Sequence, residues 1–213
     1  MARPPVRPLA LVLALLALFV APASSLAQDA TPAAPRYTVT DLGTLGGPSS
    51  SAHEINAHGD VVGYSAVLAD AATPTGAGDA PRTDHAFLWR DGAMVDLGTF
   101  GGRSSDTTGI NDAGQVAVDA EMEDGATRSF LWEDGAATDL GTLGGAHAWA
   151  IELNDAGQVV GFSTTAPGQE LLGPGTHAFL WENGTMTDLG TLGGAWSRAS
   201  DVNEAGQVFG TSE

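Results

Sequence analysis

The chain has 213 residues, no cysteine, eight basic residues that are all arginine, and 26 acidic residues, for a formal net charge of −18. Without cysteine there is no disulfide scaffold, no thiolate metal site and no cysteine nucleophile. The negative charge repels phosphate backbones and anionic lipid, which argues against nucleic acid and membrane surfaces; divalent cations and basic surfaces stay electrostatically suitable, and the same charge keeps an extracellular protein in solution.

Residues 1–27 have the layout of a signal peptide. Arg3 and Arg7 make a positive start, residues 9–20 are an apolar run of twelve, and Ser25-Leu26-Ala27 is a small-residue cleavage site. Ala21-Pro22-Ala23 offers a second cleavage point. Twelve residues reach only about 18 Å as a helix, short of a bilayer core of about 30 Å, so no membrane insertion is expected after signal removal. The expected location is extracellular or periplasmic. Residues 28–36, with three Ala and two Pro, read as a disordered lead-in.

From 37 to 213 the chain is a repeat domain of four copies. Asp-Leu-Gly-Thr-(Leu/Phe)-Gly-Gly starts at Asp41, Asp96, Asp139 and Asp188. Fifteen residues after each comes an Asn (Asn56, Asn111, Asn154, Asn203), and three further on a Gly (Gly59, Gly114, Gly157, Gly206). A Phe-Leu-Trp triplet begins nine residues before the last three of these Asp, at Phe87, Phe130 and Phe179, and the first copy has none. Successive copies lie 55, 43 and 49 residues apart, and one connection absorbs the difference: residues 66–84, 121–127 and 164–176. These are rich in Ala, Thr, Gly, Pro or acids, as a surface loop is.

Turn chemistry sets the strands. His85-Ala86-Phe87-Leu88-Trp89 is followed by Asp91-Gly92, with Asp134-Gly135 and Asn183-Gly184 in the later copies; such pairs supply the positive φ of a two-residue hairpin. A second strand at 93–97 ends in the Gly-rich loop, a third runs to Ile110-Asn111, and Asn111-Asp112-Ala113-Gly114 makes a type I turn into a fourth at 115–120. Phe87 and Trp89 share one face while Ala86 and Leu88 take the other, so both faces are apolar. On this phasing the first copy starts at Tyr37 with its second strand, giving three strands there and four in each later copy.

Four-stranded antiparallel units repeated in tandem and buried on both faces predict an all-β fold, a partial or small β-propeller, with a β-solenoid or open meander as the alternative. An incomplete ring would leave strand edges open to self-association. His-Ala-Phe-Leu-Trp, then Asp-Leu-Gly-Thr-Leu-Gly-Gly, then Ile-Asn-x-x-Gly-Gln-Val-Val-Gly resembles the HAF family of probable extracellular bacterial repeats over residues 37–212. The resemblance implies secretion and a repeat fold, and no established activity. The second copy departs from it at Arg128-Ser129-Phe130 and at Val118-Asp119-Ala120, where other copies have Gly-x-Ser.

A residue present in every copy serves the unit first. The four Asp sit before Gly-rich turns where a carboxylate accepts backbone N–H groups, and the four Asn open turns. Glu54, Glu152 and Asp201, two before the Asn, read as solvated strand faces, with a channel ring as the rival. His53-Glu54-Ile55-Asn56-Ala57-His58 fails as a zinc-protease motif, because its His residues are five apart on a strand and turn. His85 and His177, replaced by Arg128 in between, read as blade-edge polar residues, and His147 is isolated. The acidic run Asp119, Glu121, Glu123, Asp124 lacks the Gly at the sixth place and the Glu at the twelfth that a calcium loop requires. The Asn183-Gly184-Thr185 sequon reads as a hairpin turn. Trp149 and Trp196, just after Gly-Gly loops, are candidates for stacking on sugars or anchoring a partner, against packing as the alternative.

No serine elbow or phosphate loop is present, and no catalytic residue, cofactor or metal ligand is assigned. The expectation is a non-enzymatic binding or structural interaction module for an extracellular protein or glycan. The alternative is a secreted lyase or hydrolase on a propeller, which would break the repeat symmetry with unique His, Asp, Glu or Tyr residues clustered on one face.

Overall fold

The computed structural model describes residues 37–68, 83–169 and 172–213. The expected signal peptide, the expected lead-in and most of the first variable connection lie outside them. Thr40–Glu213 forms one unit, and among the described residues all regular structure is antiparallel β. The first sheet is β1 (Gly46–Ile55), β2 (Val61–Val67), β3 (Thr83–Arg90) and β4 (Ala93–Gly98). The second is β5 (Ser104–Ile110), β6 (Val116–Glu121), β7 (Thr127–Glu133) and β8 (Ala136–Asp139). The third is β9 (Ala148–Leu153), β10 (Val159–Thr164), β11 (Thr176–Glu182) and β12 (Thr185–Gly190), and the fourth is the pair β13 (Ser197–Val202) and β14 (Val208–Ser212).

Two expectations are corrected here. Each sheet begins at or after a Gly-Gly loop and the first three end on the Asp-Leu-Gly strand, so the break between sheets falls inside the repeated phrase and not in the variable connection. Residues 37–41 form no strand, and the described strands number fourteen, with the short sheet at the C-terminal end and not at the start. The hairpins form as the sequence dictates, with Asp91 and Gly92 at φ 54° and 82° and Asn183 and Gly184 at 50° and 79°. The last strand of the variant second copy is regular: Val118 pairs with Thr107 and is fully buried.

Sheets stack through alternating faces. Val116 and Val118 of β6 pack with Val62, Ala86 and Leu88 of the first sheet, while Ala117 between them packs with Ala150, Val159, Phe179 and Trp181 of the third. Val160, Ala178 and Leu180 then meet Ala199, Val202 and Val208 of the fourth. Burial on both faces explains the near-continuous apolar strands, and each fully buried Phe or Val is worth about 1.5–3 kcal/mol. The first strand of each sheet is the one that reaches back: β5 lies against β1, β2 and β3, β9 against β5, β6 and β7, and β13 against β9, β10 and β11.

Side-chain amides stitch the stack. Asn56 Nδ2 donates to the Asn111 carbonyl at 3.1 Å, Asn111 Nδ2 to the Asn154 carbonyl at 3.0 Å, and Asn154 Nδ2 to the Asn203 carbonyl at 3.0 Å. Each of these Asn also closes its own turn, as in Gly114 N–H to Asn111 O at 3.1 Å and Gln115 N–H to Asn111 Oδ1 at 2.9 Å.

Each first strand carries one extra residue opposite its partner: His53, Thr108, Ile151 or Ser200. Such a bulge re-aims the side chains on either side of it.

Candidate functional site

Just before that bulge, β1, β5, β9 and β13 each pair with the next strand at a position where the copies do not agree. The register partners are Ser51 with Tyr64, Asp106 with Asp119, Trp149 with Phe162, and Arg198 with Thr211. Directly opposed residues of antiparallel strands put their side chains on one face, so the stack carries a strip of four variable pairs on a constant frame. Neighbours along it interact. The Trp149 and Phe162 rings stack at 6.4 Å, and the Arg198 guanidinium lies 5.7 Å from the Phe162 ring centre. Tyr64 meets the His53 ring edge-on at 5.4 Å.

Three of these pairs contribute to a cleft of about 450 Å³ whose lining includes Tyr64, Asp84, Asp106, Asp119, Glu121 and Trp149. Asp119, 6% exposed, accepts the Ser129 hydroxyl and the Ala150 N–H on Oδ1, while Oδ2 has no hydrogen-bond partner among the described residues. Burial pushes its carboxyl up to about 7 against the pull of those two donors, and Asp106 pushes it the same way. Burial also raises Asp106, against the pull of His53 and the Thr107 N–H and with Asp84 adding to the rise. His53 Nδ1 is 3.3 Å from Asp106 Oδ1 and 3.0 Å from the Thr107 carbonyl.

The residues singled out by sequence fall mostly elsewhere. Asp41, Asp96, Asp139 and Asp188 each accept the N–H of the Gly two residues on, at 2.7–3.0 Å. The last three also pair with a basic side chain: His85 at 2.9 Å, Arg128 at 2.7 Å and His177 at 2.9 Å. Glu54, Glu152 and Asp201, read as solvated strand faces, are each half-buried. Glu54 reaches across to accept the Ile110 N–H at 2.9 Å, and Glu152 is raised first by burial and then by the charges of Glu54 and Asp201. Glu54 and Glu152 converge beside Gly109, where a Cβ would sit 3.2 Å from Glu54 Oε2 and 3.9 Å from Glu152 Oε1.

His147 Nδ1 accepts the Thr127 N–H at 3.1 Å, and Trp196 donates to Glu213 at 3.0 Å. The acidic run of the second copy disperses. Asp119 points inward, Glu121 and Glu123 lie 3.7 and 3.8 Å from the Arg103 guanidinium, and Asp124 accepts the Ala126 N–H at 3.0 Å. Among the described residues no three His, Asp or Glu are grouped as cation ligands.

Of the residues singled out by sequence, Trp149, Asp119 and Glu121 reach the cleft. Tyr64, Asp84 and Asp106 were missed, although aligning the copies ten and twenty-three residues after each Asp-Leu-Gly would have exposed two of them. Compared with protein-family models, curated proteins and solved structures, the chain matches none.

Proposed function

We propose that the chain is a secreted module of HAF-type repeats, its sheets set as blades of a small or partial β-propeller, that binds an extracellular partner across the variable strip. The observation that carries this reading is the convergence of Tyr64, Asp106, Asp119 and Trp149 on one cleft. A repeat frame that holds its turns and cores constant while varying one set of opposed residues has the organisation of a recognition surface. The stacking of β1, β5, β9 and β13 against one another supports the blade arrangement, and the signal-peptide layout of residues 1–27 supports export. The test is a glycan and peptide array probed with the purified protein and with Trp149→Ala. A ligand bound by the parent and lost in the variant supports the reading; identical array patterns for both overturn it.

One observation favours a second reading, a secreted hydrolase or lyase. Asp119 holds its proton up to about pH 7 beside a second carboxylate, as a general acid does. A general acid must touch the reacting oxygen, however, and Asp119 is 6% exposed, which is why binding is placed first. Release of reducing ends or unsaturated products from a polysaccharide panel, abolished in Asp119→Asn, would reverse that order.

A further inference from the structure

We propose that the cleft between Tyr64 and Trp149 seats an organic cation, an ammonium or guanidinium group held against Asp106 with Asp119 behind it. The inference rests on the binding reading above and names the chemistry of its ligand. Four carboxylates line the cleft, from Asp84, Asp106, Asp119 and Glu121. The nearby basic groups are few: His53 at 3.3 Å from Asp106, and Arg103 at 3.7 Å from Glu121.

Asp119 supplies the independent sign of a missing ligand, being 6% exposed in the wall of the cleft with an Oδ2 that no hydrogen bond satisfies. A buried polar atom left without a partner is costly, and a buried carboxylate is stabilised most by positive charge.

The aromatic rims select the kind of cation. Tyr64 and Trp149 both line the cleft, and Trp149 is 40% exposed. Aromatic faces attract ammonium and guanidinium groups, which shed water far more readily than a divalent metal. A small metal ion would also require three or more ligands drawn together, and no such group occurs among the described residues.

The experiment titrates the full chain with spermidine, with capped Gly-Arg-Gly peptide and with capped Gly-Gln-Gly peptide, following heat. The expected result is binding of spermidine or of the Arg peptide with Kd below about 1 mM, and none of the Gln peptide. Binding of spermidine alone identifies a free polyamine as ligand, and binding of the Arg peptide alone identifies a basic chain. Asp106→Asn is expected to weaken binding on the order of tenfold, Asp119→Asn by a similar factor, and Glu133→Gln, at the far end of β7, not at all. Binding of neither cation overturns the inference, as does an equal loss in all three variants, which would mean attraction to net charge alone. If neither cation binds while an array ligand is lost in Trp149→Ala, the cation seat falls and the binding strip stands.

Discussion

The amide of Asn111 donates 3.0 Å to the carbonyl of Asn154, the residue that occupies its own place in the next copy. The same side chain donates to Gln115 Oε1 at 2.7 Å and accepts the Gln115 N–H at 2.9 Å. One residue thus closes the turn of its own sheet and fixes the spacing to the next. Its burial makes truncation expensive, because the Gln115 N–H and Oε1 would lose their Asn111 partner and the Asn154 carbonyl one of its two donors. Asn111→Ala is expected to cost about 2–4 kcal/mol in urea unfolding. Asn203→Ala, at an exposed turn where the side chain bonds only within its own copy, should cost about 1 kcal/mol. Equal losses at the two sites would show that the bond between copies contributes nothing.

A second test uses a hydroxyl that changes sides. Ser105 Oγ accepts the Ala86 N–H at 2.8 Å and Ser197 Oγ the Ala178 N–H at 2.8 Å, from the later sheet to the earlier. At the middle interface the later sheet carries Ala148, and the hydroxyl comes from Ser129 of the earlier one, which donates to Asp119 and accepts the Ala150 N–H at 2.9 Å. Ser129→Ala should destabilise by about 1–3 kcal/mol, since it removes a donor to Asp119 Oδ1 and the shorter of the two bonds of the buried Ala150 N–H. Adding Ala148→Ser restores the pattern of the other two interfaces and is expected to recover part of the loss. A double variant no more stable than Ser129→Ala would refute the equivalence.

The pH dependence follows from Asp119. Its folded carboxyl titrates near 7, above the unfolded value of about 3.9, so between these values the folded state binds more protons. Stability is therefore greatest below about pH 4 and falls as pH rises toward 7, by about 4 kcal/mol at most. Asp106 and Glu152, also raised, add to the fall, while His53, facing Asp106 from β1, opposes it by favouring the charged form. Asp60 works in the other direction: Arg90, 2.8 Å away, holds it below the usual carboxylate range, so its contribution is lost as pH drops through that lowered value. Urea midpoints from pH 5 to 8 should decline in the parent and flatten in Asp119→Asn. A parent with no decline would contradict the buried acid.

Repeat arithmetic made the hairpins, the Asn turns and the all-β class legible, because Asp-Gly, Asn-Gly and Asn-x-x-Gly dictate backbone angles locally. The division into sheets was not legible. A strand's sequence says that both faces are buried without saying which neighbour supplies each hydrogen-bonded edge, and a Gly-Gly loop can join strands of one sheet or of two. The cleft was hidden for a related reason. Attention to residues present in every copy finds what holds the unit together, whereas Tyr64, Asp106 and Trp149 matter because their positions are not repeated. Asp119 alone showed as a departure, and its burial depended on Ser129 and Ala150, which lie on other strands.

The last prediction concerns β14. In the first three sheets the second strand pairs on its far side with a strand of His-Ala-Phe-Leu-Trp type: Val159 with Trp181, Val160 with Leu180, Gly161 with Phe179 and Ser163 with His177. Among the described residues β14 pairs with β13 alone, and its Phe209 is 63% exposed. An unpaired edge beside an exposed aromatic invites another strand. The equivalent register would set Trp against Val208, Leu against Phe209 and Phe against Gly210. A Thr-His-Ala-Phe-Leu-Trp-Glu peptide is therefore expected to raise the melting temperature and to suppress concentration-dependent self-association in sedimentation, and Phe209→Glu should suppress that association without peptide. A scrambled peptide of the same composition that works equally well would show that general hydrophobic adsorption, and not the β14 edge, is responsible.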